Sequence, residues 1–70
     1  MVDGKALRSK IIGTGRTYTF IAKELGLTTR GLDNKLNGDS DFKVSEAMKL
    51  KDILPLSWDE FMQIFFTVNV

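Results

Sequence analysis

An all-α fold, a compact bundle of about five helices with a short extended C-terminal tail, follows from three features of the 70-residue sequence. Apolar residues recur at three- and four-residue spacing in five separate stretches, the period of helices that bury one face. Each stretch is opened by a residue able to cap a helix or closed by glycine or proline. Alternating β-branched character is confined to the last residues, Phe66-Thr67-Val68-Asn69-Val70, where it reads as an extended segment.

In the first stretch Ala6, Leu7, Ile11 and Ile12 follow Asp3 and stop at Gly13-Thr14-Gly15, which predicts a helix over about residues 4 to 12. Thr17 can cap a second helix, about residues 18 to 25, whose buried face is Phe20, Ile21, Ala22 and Leu25 and which Gly26 ends in a left-handed turn. Thr28 can cap a third, about residues 29 to 36, with Leu32 and Leu36 one turn apart and Asn37-Gly38 closing it. Asp39-Ser40-Asp41 is a polar loop and Phe42 a single apolar anchor. The fourth helix begins at Ser45 or the residue before it, carries Val44, Ala47, Met48, Leu50, Ile53 and Leu54, and ends at Pro55. Ser57 starts the fifth, with Asp59 and Glu60 in its first turn where negative charge suits the helix dipole. Trp58, Phe61, Met62, Ile64 and Phe65 are expected to pack it onto the body.

Composition narrows the function. With 43% hydrophobic and 27% charged residues the chain is that of a folded globule, and its length, without repeats or linkers, suits one domain over residues 1–70. Cysteine and histidine are absent, which removes disulfides, thiolate chemistry, the commonest zinc ligands and the usual general base. Gly13-Thr14-Gly15 lacks the spacing of a phosphate loop, and the adjacent Asp59 and Glu60 are first-turn charges, not a catalytic pair. The expectation is therefore no enzyme, no metal and no cofactor. No apolar run approaches the roughly 18 residues of a membrane span, and residues 1–10 lack a signal peptide's apolar stretch, so a cytoplasmic protein without membrane contact is expected. The net charge of +1 conceals an asymmetry: residues 1–38 hold seven Lys or Arg against three acids, and residues 39–70 hold three against six. An anionic partner would dock on the first half.

The informative segment runs from Phe20 to Gly38. Two helices meeting steeply require a small residue at their closest approach, Ala22, and one tolerant of positive φ in the turn, Gly26, while Leu25, Leu27 and Leu32 fill the angle between them. With Ala22, Gly26, Leu27, Thr28 and Leu32 at matching offsets, this run resembles the helix-turn-helix of the Xre, Cro and CI phage repressor family. Asn34-Lys35-Leu36-Asn37-Gly38, Asp41-Phe42, Ser45-Glu46 and Phe65-Phe66-Thr67 are similar to the short Cro-like or modulator proteins of Gram-positive prophages, so that the likeness extends from Leu7 to Thr67.

The resemblance implies a lambda-repressor-like fold with the third helix in the major groove of operator DNA and the second across the backbone. Carried over, the base readers are Thr29, Arg30 and Asn34: Arg30 can donate a bidentate pair to guanine, Asn34 can pair with adenine, and Thr29 offers a hydroxyl and a methyl. Thr28, Lys35 and Tyr18 are the expected phosphate contacts. Tyr18 stands where many relatives have glutamine, Gly31 lowers helix propensity inside the reading helix, and Asp33 would repel phosphates. These departures, with the acidic second half, support an alternative: an antirepressor or modulator that binds a repressor protein and masks its DNA-reading surface. Trp58, Phe61, Phe65, Phe66 and Val68 are the candidate protein interface, through which a homodimer is also expected.

Overall fold

The computed structural model describes residues 2–66, so the expected extended tail and Val68 lie outside the described residues. Five helices follow in order: α1 (Gly4–Gly13), α2 (Tyr18–Glu24), α3 (Thr29–Asn37), α4 (Val44–Ile53) and α5 (Trp58–Phe65). Four start on the capping side chains read from the sequence. Asp3 Oδ1 accepts from the Ala6 amide at 3.1 Å, Thr17 Oγ1 from Phe20 at 3.1 Å, Thr28 Oγ1 from Gly31 at 3.0 Å, and Ser57 Oγ from Glu60 at 3.1 Å. Glu60 Oε1 accepts in return from the Ser57 amide at 3.1 Å, completing a capping box. The fourth start differs: α4 follows Lys43, whose backbone amide donates to Glu46 Oε1 at 2.8 Å, so the helix is capped from its third position.

The ends show why the chain turns where it does. Gly26 sits at φ +71°, and the Leu27 amide reaches back to the Ala22 carbonyl at 2.8 Å, the double turn that a left-handed residue after a helix permits. Ahead of Pro55, α4 stops at Ile53, and the Leu56 amide donates to the Lys51 carbonyl at 2.8 Å. α1 runs one residue past its expected end, because the Thr14 hydroxyl donates to the Ile11 carbonyl at 2.6 Å and closes the last turn.

One core is shared by all five helices: Leu7 and Ile11, Ile21 and Ala22, Leu32 and Leu36, Ala47 and Leu50, and Phe61, Ile64 and Phe65, together with Leu54 and Leu56. α3 packs on both α1 and α2, and α1 also packs on α5. Leu25 and Leu27 are half-buried against this core beside Leu32. At the seam between α1 and α3 the backbones approach so closely that a Cβ on Gly4 would stand 2.1 Å from the Leu36 carbonyl oxygen. The Asp3 amide donates to the Ile64 carbonyl at 2.6 Å, fastening the same end of α1 to α5.

Five apolar residues placed on buried faces by their spacing are instead exposed: Ile12, Val44, Met48, Trp58 and Met62. Ile12, Met48 and Met62 each follow a core residue by one position, about 100° of helix rotation, whereas Val44 and Trp58 are the first residues of their helices and lie beyond the turns that the bundle covers. Phe20 is exposed as well, with the Arg16 guanidinium 5.0 Å from its ring centre.

Candidate functional site

Four residue sets on α3 point four ways, and this division defines the site. Leu32 and Leu36 enter the core. Asp33 and Asn37, one turn apart, face α1. Lys35 turns to α4. Arg30 and Asn34, also one turn apart, form the outward face, exposed and partly exposed respectively, with Thr29 exposed beside Arg30 in the first turn. Thr28 precedes them; its oxygen caps α3 and its proton remains free to donate outward. The Arg30 side chain takes part in no hydrogen bond or ion pair among the described residues, where the ion pairs are Arg8–Asp33, Lys10–Glu60 and Lys35–Glu46.

Lys35, expected at a phosphate, is committed elsewhere. Its Nζ lies 2.5 Å from Glu46 Oε1, with side-chain exposures of 12% and 9% for the two partners, and 5.9 Å from the Phe42 ring centre. Helical rotation is the reason, since Lys35 follows Asn34 by about 100° and leaves the outward face. Burial pushes the Glu46 carboxyl up, but hydrogen bonds from Lys35 and from the Lys43 amide outweigh it and hold the group below its usual value of 4.5. Phe42 packs edge-on against Phe65, with ring centres 5.6 Å apart, so the loop anchor expected there is also the lid of this ion pair.

Tyr18 begins α2 with its ring partly buried against the core and its hydroxyl 3.4 Å from Arg8 Nη1. Asp33, the acid expected to oppose an anion, is paired with Arg8 at 2.9 Å. Neither Arg8 nor Glu46 was given a site role from the sequence, because each is an ordinary helical charge until its distant partner is known. Gly31 also finds a local reason: a Cβ there would come 3.2 Å from Thr28 Oγ1, crowding the cap.

A second exposed surface lies on α4 and α5. Trp58 (61% exposed), Met62 (51%) and Phe66 (58%) repeat every four residues along one side of α5, and Lys51 Nζ rests 4.3 Å from the Trp58 ring centre. Between this side and α4 opens an apolar cleft of about 270 Å³ lined by Phe42, Val44, Met48, Phe61, Phe65 and Phe66. Phe61 and Phe65, expected at an interface, are buried and form its floor; their rings lie tilted by 36° with centres 5.0 Å apart, because they sit on the core side of α5. Trp58 and Phe66 are the members of that expected set left on the surface.

Lys10 and Glu60 join α1 to α5, and the Lys10 ammonium, with the Ser57 amide, holds the Glu60 carboxyl below its ordinary value. No cluster of three or more His, Cys, Asp or Glu able to hold a metal is present among the described residues, and none of their helices is long and apolar enough to cross a membrane. In comparisons with known proteins, no family model, no curated protein and no solved structure matches the chain.

Proposed function

We propose that the protein is a sequence-reading DNA-binding regulator of the phage repressor and Cro type, with α2, its turn and α3 as a helix-turn-helix and α3 as the element that enters the major groove. The observation that carries this reading is the outward face of α3. An unpaired guanidinium, Arg30, and a side-chain amide, Asn34, stand one turn apart near the helix N-terminus, flanked by the exposed hydroxyls of Thr28 and Thr29. A rigid fork of donors beside an amide that both donates and accepts suits the edges of guanine and adenine. Arg16 and Lys23, exposed before and within α2, supply positive charge for a phosphate backbone. With Lys35 tied to Glu46, the positioning role falls to Thr28, Tyr18 and these cations. The role is one of binding, not of catalysis.

The test is selection of duplexes from a random pool, followed by binding of the selected duplex to Arg30→Ala. The variant is expected to lose about 1–3 kcal/mol and to relax preference at one base position, whereas Lys23→Ala should weaken all sequences alike and reduce the salt dependence. A pool that yields no enriched sequence at low salt would refute the reading.

The exposed side of α5 favours a second reading, a modulator that binds a repressor protein or a second copy of itself. Three large apolar residues at four-residue spacing beside an apolar cleft resemble the centre of a protein interface, where aromatic anchors carry most of the energy. Trp58→Ser with Met62→Ser is expected to leave the fold intact, since both side chains are largely outside the core, and to cost at least about 2 kcal/mol of association. Sedimentation of the two proteins, alone and with the cognate repressor, checks this. Identical behaviour in both experiments would remove the second reading.

A further inference from the structure

Two residues that run against a DNA-reading role, Tyr18 at the head of α2 and Asp33 inside α3, meet on one side chain of α1. Arg8 donates from Nη2 to Asp33 Oδ1 at 2.9 Å and to Asn37 Oδ1 at 2.7 Å, and from Nη1 to the Tyr18 hydroxyl at 3.4 Å. Its guanidinium carbon lies 5.8 Å from the Tyr18 ring centre. Asn37 Nδ2 donates in turn to Asp33 Oδ2 at 3.4 Å, so both carboxylate oxygens are engaged. One planar fork thus ties the first turn of α2 and the last two turns of α3 to α1, a task for which a lysine's single ammonium is too compact.

Arg30 and Asp33 are three residues apart on α3, the spacing at which opposite charges pair along a helix. An Asp33 without a partner would compete for the Arg30 guanidinium and draw it off the outward face. Arg8 satisfies Asp33 from the opposite side, and Arg30 makes no ion pair. At Tyr18 the effect is complementary. Arginine only donates, so the hydroxyl oxygen accepts from Arg8 and its proton is left for an outside acceptor such as a phosphate oxygen.

We propose that Arg8 is the positioning residue of the α3 reading surface: without touching DNA, it cancels Asp33, keeps Arg30 free and turns the Tyr18 proton outward. The inference rests on the DNA-reading role proposed above, and its test separates the two.

Wild type, Arg8→Met, Asp33→Asn and the double variant are compared by fluorescence anisotropy with a labelled duplex of random sequence, each well below its melting temperature. Arg8→Met is expected to weaken binding about three- to tenfold, from an uncancelled acid beside the phosphates and a captured reader. Asp33→Asn should change little in wild type and restore most of the loss in Arg8→Met, giving a coupled cycle. Equal effects of Asp33→Asn in both backgrounds, or unchanged affinity of folded Arg8→Met, would overturn the proposal, the latter leaving Arg8 a purely structural tie. If Arg8→Met does not fold, Arg8→Lys keeps the charge without the fork and should fall between the two, again rescued by Asp33→Asn.

The second readout uses no DNA. The Arg30 Nε–H resonance of the free, labelled protein should match a solvated arginine in wild type, shift in Arg8→Met, and return in the double variant. An Arg30 resonance that is the same in wild type and Arg8→Met would overturn the proposal even if DNA binds. Wild-type protein that fails to bind duplex while this resonance moves as expected would remove the DNA reading and leave the Arg8 device standing.

Discussion

Lys35→Ala is expected to remove most of the stability of this domain. It strips the partner from a carboxylate that is 9% exposed, and breaking a buried pair from one side costs about 3–5 kcal/mol. A chain of this size has on the order of 5–10 kcal/mol in all, so the melting temperature should fall by tens of degrees at roughly 4–8 °C per kcal/mol. The pH dependence should invert at the same time. In the wild type the Glu46 carboxyl is held below its unfolded value of 4.5; its contribution is therefore complete above pH 4.5 and is lost as pH falls through the folded value. In Lys35→Ala burial is opposed only by the Lys43 amide and charge, so the carboxyl moves up and protonation relieves the variant instead of harming it. Urea denaturation of both proteins near neutrality and near about pH 4 measures this, and a gap that widens in acid would contradict it. Lys35→Met combined with Glu46→Gln should recover most of the loss, since the amide oxygen still accepts from Lys43 and no charge is left buried.

Gly4→Ala carries the second large effect. Alanine is the better helix former, and on an exposed helix the change would stabilise by up to about 1 kcal/mol. Here the added carbon meets the Leu36 carbonyl oxygen at 2.1 Å, a backbone atom at the end of α3 that no rotamer change can remove. α1 must move off α3, and overpacking of this kind costs about 1–3 kcal/mol. Because the same turn of α1 carries the Asp3–Ile64 hydrogen bond, faster amide exchange is expected at Asp3 as well as at the end of α3. Gly13→Ala, where the Cβ would meet nothing within 4 Å, is the control and should not destabilise by this route. Equal melting temperatures for wild type and Gly4→Ala would mean that the two helices can part without cost.

The helix starts were legible because their causes are local. Asp3, Thr17, Thr28 and Ser57 each satisfy an amide three residues away, so the sequence and the hydrogen bond occupy the same window. Gly26 and Pro55 act equally locally, and five helices at nearly the expected bounds follow. Arg30 and Asn34 were singled out by the family resemblance, and the helical period alone then places them one turn apart on one face.

Other features depend on which helix faces which. Lys35 was assigned to the same surface as Asn34, yet only the placement of α4 decides that a carboxylate waits on its other side. Phe61 and Phe65 could not be told from Trp58 and Phe66 by composition; the position of the core relative to α5 sorts two inward and two outward. Arg8 meets Asp33 across 25 residues and Lys10 meets Glu60 across 50, separations that no local pattern encodes. The sequence by itself therefore determined the helices and their caps, through interactions closed within a turn. The tertiary structure alone decided which charges are paired, which aromatics are free and where Gly4 admits no side chain, because these rest on the packing of one helix against another.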